Sequence, residues 1–154
     1  MKYIRKIISG AQTGADRAGL DFAISNSIPH SGWVPKGRLA EDGVVPEKYK
    51  VTETKSEKYP PRTAANIHDS EATLIFTGTK PDKGTLLTIK LCQSMNKPCL
   101  VVNIEEAGAV NKITTWLNSV KPGVLNIAGN RESFLPGIHG KVFEILQAVR
   151  DALE

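Results

Sequence analysis

Apolar and polar positions along the chain follow two rhythms. Short runs at 6–8, 72–76, 99–103 and 124–128 are apolar on both faces and read as strands. Between them, segments 15–25, 62–68, 84–95, 110–120 and 140–153 carry apolar residues at helical spacing. In the last segment Val142, Ile145, Leu146, Val149 and Leu153 share one face. Buried strands separated by helices predict an α/β fold, a doubly wound parallel sheet covered on both sides. One stretch breaks the rhythm. Residues 32–61 hold prolines at 35, 46, 60 and 61 and glycines at 32, 37 and 43, and read as irregular. A loop of that length in a compact domain is usually functional or disordered. Trp33, Tyr49 and Tyr59 argue for order.

The first strand runs into Ser9-Gly10-Ala11-Gln12-Thr13-Gly14-Ala15-Asp16-Arg17, which opens the first helix. A glycine turn leading to a helix start offers free N–H groups and the positive end of the helix dipole, a seat for phosphate or another oxyanion. The spacing matches neither the dinucleotide fingerprint nor the Walker loop. Gln12, Thr13, Asp16 and Arg17 add polar groups that a plain reversal does not need. Ligands of doubly wound sheets bind beyond the carboxyl ends of the strands. The loops there, Ser9 to Asp16, Thr77 to Thr85 and Gly129 to Ser133, are expected to converge at one edge.

Composition narrows the partners. The chain has 154 residues, 40% hydrophobic and 23% charged, enough for one domain with a proper core. No apolar run approaches the ~18 residues of a membrane span, and the N-terminus lacks the apolar centre of a signal peptide. The expected address is the cytoplasm. Residues 1–62 carry 11 Lys/Arg against 7 Asp/Glu, and the remainder carries 9 of each. The excess positive charge therefore lies with the glycine turn and suits an anionic small molecule. No clustered basic run with interleaved aromatics points to nucleic acid. Cys92 and Cys99 read as reduced, buried thiols. His30, His68 and His139 are spread as surface or cap residues, and no metal site is expected.

Four clusters stand in order: Gly10 to Arg17; Gly32-Trp33-Val34-Pro35-Lys36-Gly37-Arg38 with Glu41-Asp42-Gly43; Tyr59-Pro60-Pro61-Arg62-Thr63 with Asn66; and Gly84-Thr85 with Thr88. From Ser9 to about Gly137 this set resembles the family of putative molybdenum carriers, a branch of the Rossmann-like superfamily that also holds lysine-decarboxylase-like phosphoribohydrolases. The resemblance implies a single Rossmann-like domain over 1–154, with 32–61 as a ligand-side loop, and a pocket for molybdenum cofactor or molybdate. The binding residues it implies are Gly10, Gln12, Thr13, Gly14, Asp16, Arg17, Trp33, Lys36, Arg38, Arg62, Asn66, Gly84, Thr85, Thr88 and Arg131. Lys36, Arg38 and Arg62 would supply cationic donors, arginine gripping oxyanions at two points. Trp33 would stack on a flat heterocycle or plug the long loop. Related folds pair, so a homo-oligomer is expected.

The resemblance also raises an enzymatic alternative, cleavage of the base from a nucleoside 5'-monophosphate. The hydrolase motif reads roughly P-G-G-x-G-T-x-x-E; here Pro81 to Thr88 keeps Gly84-Thr85 and places Thr88 where the glutamate stands. A threonine cannot act as a carboxylate base. The expectation is therefore binding without a catalytic residue, unless Glu41 or Asp42 substitutes; both also fit a solvated turn. Arg62 equally fits a salt bridge to Asp69 or Glu71. A nucleotide sensor is the third class, which the fold alone does not separate from the others.

Overall fold

The computed structural model describes residues 1–154. Five parallel strands form one sheet: β1 (Lys6–Ile8), β2 (His30–Ser31), β7 (Ala72–Thr77), β8 (Cys99–Asn103) and β9 (Val124–Gly129). Helices α1 (Ala15–Ser25), α2 (Tyr59–His68), α3 (Lys83–Ser94), α4 (Ala109–Val120) and α5 (Ile138–Leu153) cover it. Helices α1, α4 and α5 pack on one face, and α2 and α3 lie on the other. This is the doubly wound, Rossmann-like arrangement that the apolar rhythm predicts.

The spatial order is β2-β1-β9-β7-β8. Counted from β9 instead of β1, with the later strands following in turn, it becomes 3-2-1-4-5, the order of the dinucleotide-binding fold. The last strand of this chain thus occupies the position of the first strand of that fold. The point where strand order reverses falls between β9 and β7.

Alternation along the strands decides which residues reach which face. Leu74 and Phe76 of β7, and Leu125 and Ile127 of β9, join Phe22, Ile113, Leu117, Val142 and Val149 in the larger core. Asn126 and Ala128 point the opposite way, toward α2 and α3. The sheet's centre is dry: all six residues of β7 are buried.

Residues 32–61 are more structured than their prolines and glycines suggest. They hold β3 (Trp33–Val34) paired in parallel with β6 (Thr52–Glu53), and the hairpin β4 (Leu39–Ala40) with β5 (Gly43–Val44). A small second core of Val34, Ala40, Val45 and Tyr49 closes over Ala11 and Leu20. Helix α2 begins at Tyr59, three residues before the expected start. Pro60 and Pro61 sit in its first turn, where a missing N–H costs no helical hydrogen bond. No helix is long and apolar enough to cross a membrane.

Candidate functional site

The three loops do converge, at the reversal of strand order. They enclose a chamber of about 270 Å³ against α2 and α3. Its lining includes Gly10, Gln12, Asp16, Arg62, Asn66, Gly84, Thr88 and Arg131 of the expected set, joined by Tyr59, Asp82, Lys83 and Asn126. A chamber of this size lies at the low end of small-molecule sites, roughly 300–1,000 Å³. The small side chains of Asn126 and Ala128 leave the floor open.

Arg62 is the central cation, only 8% exposed. It reaches from α2 across to the β1 loop, where Nη1 donates to the Gly10 carbonyl at 2.6 Å and lies 3.5 Å from Asp16 Oδ2. This replaces the alternative of a pair with Asp69 or Glu71. Asp69 instead accepts from Trp33 Nε1 at 2.7 Å, and Glu71 pairs with Arg5 at 3.5 Å. The approach requires glycine at position 10, because a Cβ there would lie 2.0 Å from Arg62 Nη1. Tyr59 receives both Arg62 and Arg131 over its ring, at 5.0 and 5.6 Å.

Burial pushes the Asp16 carboxyl up to about 6, with Arg62 and the Gln12 N–H pulling in the opposite direction. Desolvation also lowers Arg62 from its usual range, against the pull of Asp16. Three buried donors have no protein partner: Gln12 Nε2 and Arg62 Nε, on residues of the chamber lining, and Arg17 Nε outside it. Buried donors are nearly always satisfied, and leaving one unpaired costs roughly 1–3 kcal/mol. Arg131 reaches a carboxylate, Glu41, only at 3.9 Å.

The glycine turn itself is largely spent on internal bonds. Ala11 N donates to Ser9 Oγ, Gln12 N to Asp16 Oδ2, Thr13 N to Gln12 Oε1 and Ala15 N to the Asn130 carbonyl. Those four amides are not the phosphate seat that the turn predicts. Gly14 has φ +82°, and a Cβ there would lie 2.4 Å from the Asn130 carbonyl oxygen, so the turn and the β9 loop fit only around glycine. Other helix starts are capped by the protein's own carboxylates. Asp82 accepts from Thr85 N at 2.8 Å, and Glu132 accepts from Gly137 N and from His139 N at 3.0 Å. Helix α5 holds the place of the diphosphate-binding helix of the dinucleotide fold, and Glu132 fills that position.

Seven residues of the expected set lie outside the chamber lining: Thr13, Gly14, Arg17, Trp33, Lys36, Arg38 and Thr85. The Arg38 guanidinium is spent on carbonyls of its own loop, Val45 at 3.1 Å, Pro46 at 2.9 Å, Tyr49 at 3.1 Å and Val51 at 3.4 Å. Arg17 pairs with Asp42 and donates to the Ala11 carbonyl at 3.1 Å. Trp33 is pinned through its backbone by Asn66, at 2.8 and 3.0 Å. Glu41 lies exposed in the turn between β4 and β5, but its carboxylate is not free. It accepts from Thr13 Oγ1, from Ser133 N at 3.1 Å and from Ser133 Oγ, latching the long loop to the turns after β1 and β9. These bonds hold its carboxyl below the usual range against the opposing effect of burial. Thr88 donates back to the Gly84 carbonyl at 2.9 Å.

Asn130 was not expected from sequence. Fully buried, it accepts from Gly78 N at 3.1 Å, reaches Thr85 Oγ1 at 3.5 Å and donates its own N–H to the Phe76 carbonyl at 3.0 Å. It ties together the loops that build the chamber. Its position after β9, at the reversal of strand order, is the one sequence-level signal.

Fold and chamber define a Rossmann-like α/β protein whose strand order is a circular permutation of the dinucleotide-binding order, with a polar chamber at the switch point. The chain belongs to the circularly permutated YpsA SLOG family, whose model matches residues 7–150. It is also similar to the crystal structure of a putative molybdenum carrier protein from Syntrophus aciditrophicus SB. The two share 44% identity and superimpose with a TM-score of 0.93 over 96% of this chain and 95% of that one. A comparison with curated proteins gives no match.

Proposed function

We propose that this protein binds and carries an anionic small ligand in the chamber between β9, α2 and α3, and that the ligand is molybdate or the molybdenum cofactor. The observation that carries the reading is the buried Arg62 guanidinium in the lining of a polar chamber, beside Gln12 and Arg131. An oxyanion there would be drawn by the positive charge of Arg62, and Arg131 and Lys83 of the same lining would add to it. The molybdenum-related ligand is suggested by the name of the Syntrophus relative. The residues present suit the oxygens of such a ligand: a buried guanidinium, a carboxamide and a second arginine.

The test is thermal unfolding against molybdate, tungstate, sulfate, phosphate, nucleoside monophosphates and isolated molybdenum cofactor. A ligand at about 100 times its Kd raises stability by about 2.7 kcal/mol, which is roughly 5–11 °C at this size. A shift given by molybdate or the cofactor, and lost in Arg62→Leu, is the expected result. No shift with any anion overturns the proposal.

One observation favours a second reading, hydrolysis of a nucleoside 5'-monophosphate. Asp16 is a chamber carboxyl raised to about 6, in the range of a working acid or base. Release of free base, abolished by Asp16→Asn, would move the assignment there.

A further inference from the structure

Cys92 and Cys99 take no part in the chamber lining, and both are free thiols. The fold nevertheless puts them together. Cys92 lies in the last turn of α3, fully buried, and Cys99 opens β8, half-buried at the edge of the sheet. The connection between them, residues 93–98, is pinned in place. Lys97 N donates to the Cys92 carbonyl at 3.0 Å, and Lys97 Nζ donates to the carbonyls of Ser70 at 2.6 Å and His68 at 3.1 Å. The Cys92 thiol meets both the Cys99 thiol and the Thr73 hydroxyl.

Strand register carries the contact inward. Thr73 of β7 pairs with Cys99 on one side and with Asn126 of β9 on the other, so the three side chains stand in a row on one face of the sheet. Asn126 Nδ2 donates to Thr73 Oγ1 at 3.3 Å, with both residues buried. Asn126 in turn lines the chamber. A chain of polar contacts thus runs from the sheet edge to the chamber floor. The neighbouring Cys99 thiol, together with Thr73, holds Cys92 below the usual thiol range against the effect of burial, and the same contact raises Cys99. The pair therefore favours one thiolate, the form of cysteine that reacts.

We propose that Cys92 and Cys99 form a reversible disulfide, a redox-sensitive staple between α3 and β8 whose state reaches the chamber floor through Thr73 and Asn126. The oxidant is hydrogen peroxide, which reaches the half-buried Cys99 from the sheet edge. The proton between the sulfurs passes to Cys92, and the Cys99 sulfur attacks a peroxide oxygen. An S–O bond forms, the O–O bond breaks, and the leaving hydroxide takes a proton from solvent. The Cys92 sulfur then gives up its proton and attacks the sulfenic sulfur of Cys99; the S–O bond breaks and water leaves. Overall the dithiol loses two electrons to the peroxide, and the products are one disulfide and two waters. A dithiol reductant reverses the bond by exchange. A disulfide sulfur is a poorer acceptor than a thiolate, so the Thr73 hydroxyl and the Asn126 carboxamide bonded to it reorient on oxidation.

The intact protein, treated under native conditions with stoichiometric hydrogen peroxide, tests this by thiol titration, mass spectrometry and NMR of side-chain amides. Both thiols should disappear together, with a mass lower by two hydrogens and a cross-linked peptide joining positions 92 and 99. Dithiothreitol should restore both thiols. The Asn126 side-chain amide signal should shift on oxidation and return on reduction. Cys92→Ser and Cys99→Ser should each react with peroxide at least about tenfold more slowly, because the remaining sulfur has lost its partner. In the double variant Cys92→Ser/Cys99→Ser the Asn126 signal should not respond to peroxide. Thiols that survive until the protein is unfolded, a bond between two chains instead, or single variants as reactive as the parent overturn the disulfide. A disulfide that leaves the Asn126 signal in place overturns the link to the chamber.

Discussion

Replacing Arg62 with leucine should destabilise the protein by an amount that depends on pH. The guanidinium has two partners, the Gly10 carbonyl at 2.6 Å and Asp16 Oδ2 at 3.5 Å. Both charged groups are less than 10% exposed, so solvent does little to screen them. Asp16 has its carboxyl raised to about 6 by burial, from 3.8 in an unfolded chain. Between those two values the native state binds a proton that the unfolded state does not. The Asp16 contribution therefore favours folding as pH falls from about 6 toward about 4, and an ionised Asp16 costs on the order of 3 kcal/mol at neutral pH. Arg62 is the main group holding that cost down. Without it, an ionised Asp16 keeps only the weaker pull of Arg131, and its carboxyl rises further. At pH 7.5 the variant should lose about 3–5 kcal/mol, as expected for breaking a buried pair. At pH 5 Asp16 is protonated in both proteins, and only the bond to Gly10 is lost, about 1.5–3 kcal/mol. Urea unfolding followed by fluorescence of the two tryptophans at pH 5, 6 and 7.5 measures this. In an Asp16→Asn background, the cost of Arg62→Leu should be flat across that range. A cost that is pH-independent with Asp16 present, or greater at pH 5, refutes the reasoning.

Gly10→Ala places a methyl 2.0 Å from Arg62 Nη1 and should move the arginine, costing about 1–3 kcal/mol and weakening anion binding at least about tenfold. Unchanged titrations would show that the arginine is not held where the ligand needs it. Glu41→Ala cuts the latch from the long loop to Thr13 and Ser133, and should cost about 1–2 kcal/mol. Limited proteolysis within 36–58 should speed up, while a cleavage pattern like the parent's would argue against the latch. The Glu41 carboxyl is held below its unfolded value, so the latch contributes above that value and is lost as pH falls through the lowered one. The Glu41→Ala cost should shrink at pH 3 in the same unfolding assay.

The strand and helix rhythm, the buried centre of the sheet and the convergence of three loops were legible in the residues themselves. Periodicity and glycine turns are local properties, and parallel strands place their carboxyl ends at one edge. The sequence places the start of α2 three residues late, because Pro60-Pro61 reads as a break until tertiary context turns the chain helical there. The strands of the long loop were hidden because each has two residues and exists only by pairing or by closing over Ala11 and Leu20.

Sequence alone determined the fold class, because alternating buried strands and amphipathic helices leave few other ways to hide apolar surface. It also determined that the polar chemistry would gather around the turn after β1. Only the tertiary structure decided the strand order, since pairing joins residues far apart in the chain. Only it separated two arginines that look equivalent in sequence. Arg38 is consumed by carbonyls within its own loop, whereas Arg62 meets Gly10, a partner 52 residues away, and stays in the chamber with a donor to spare. Local spacing encodes which groups are available, and long-range packing sets which of them are gathered around the chamber.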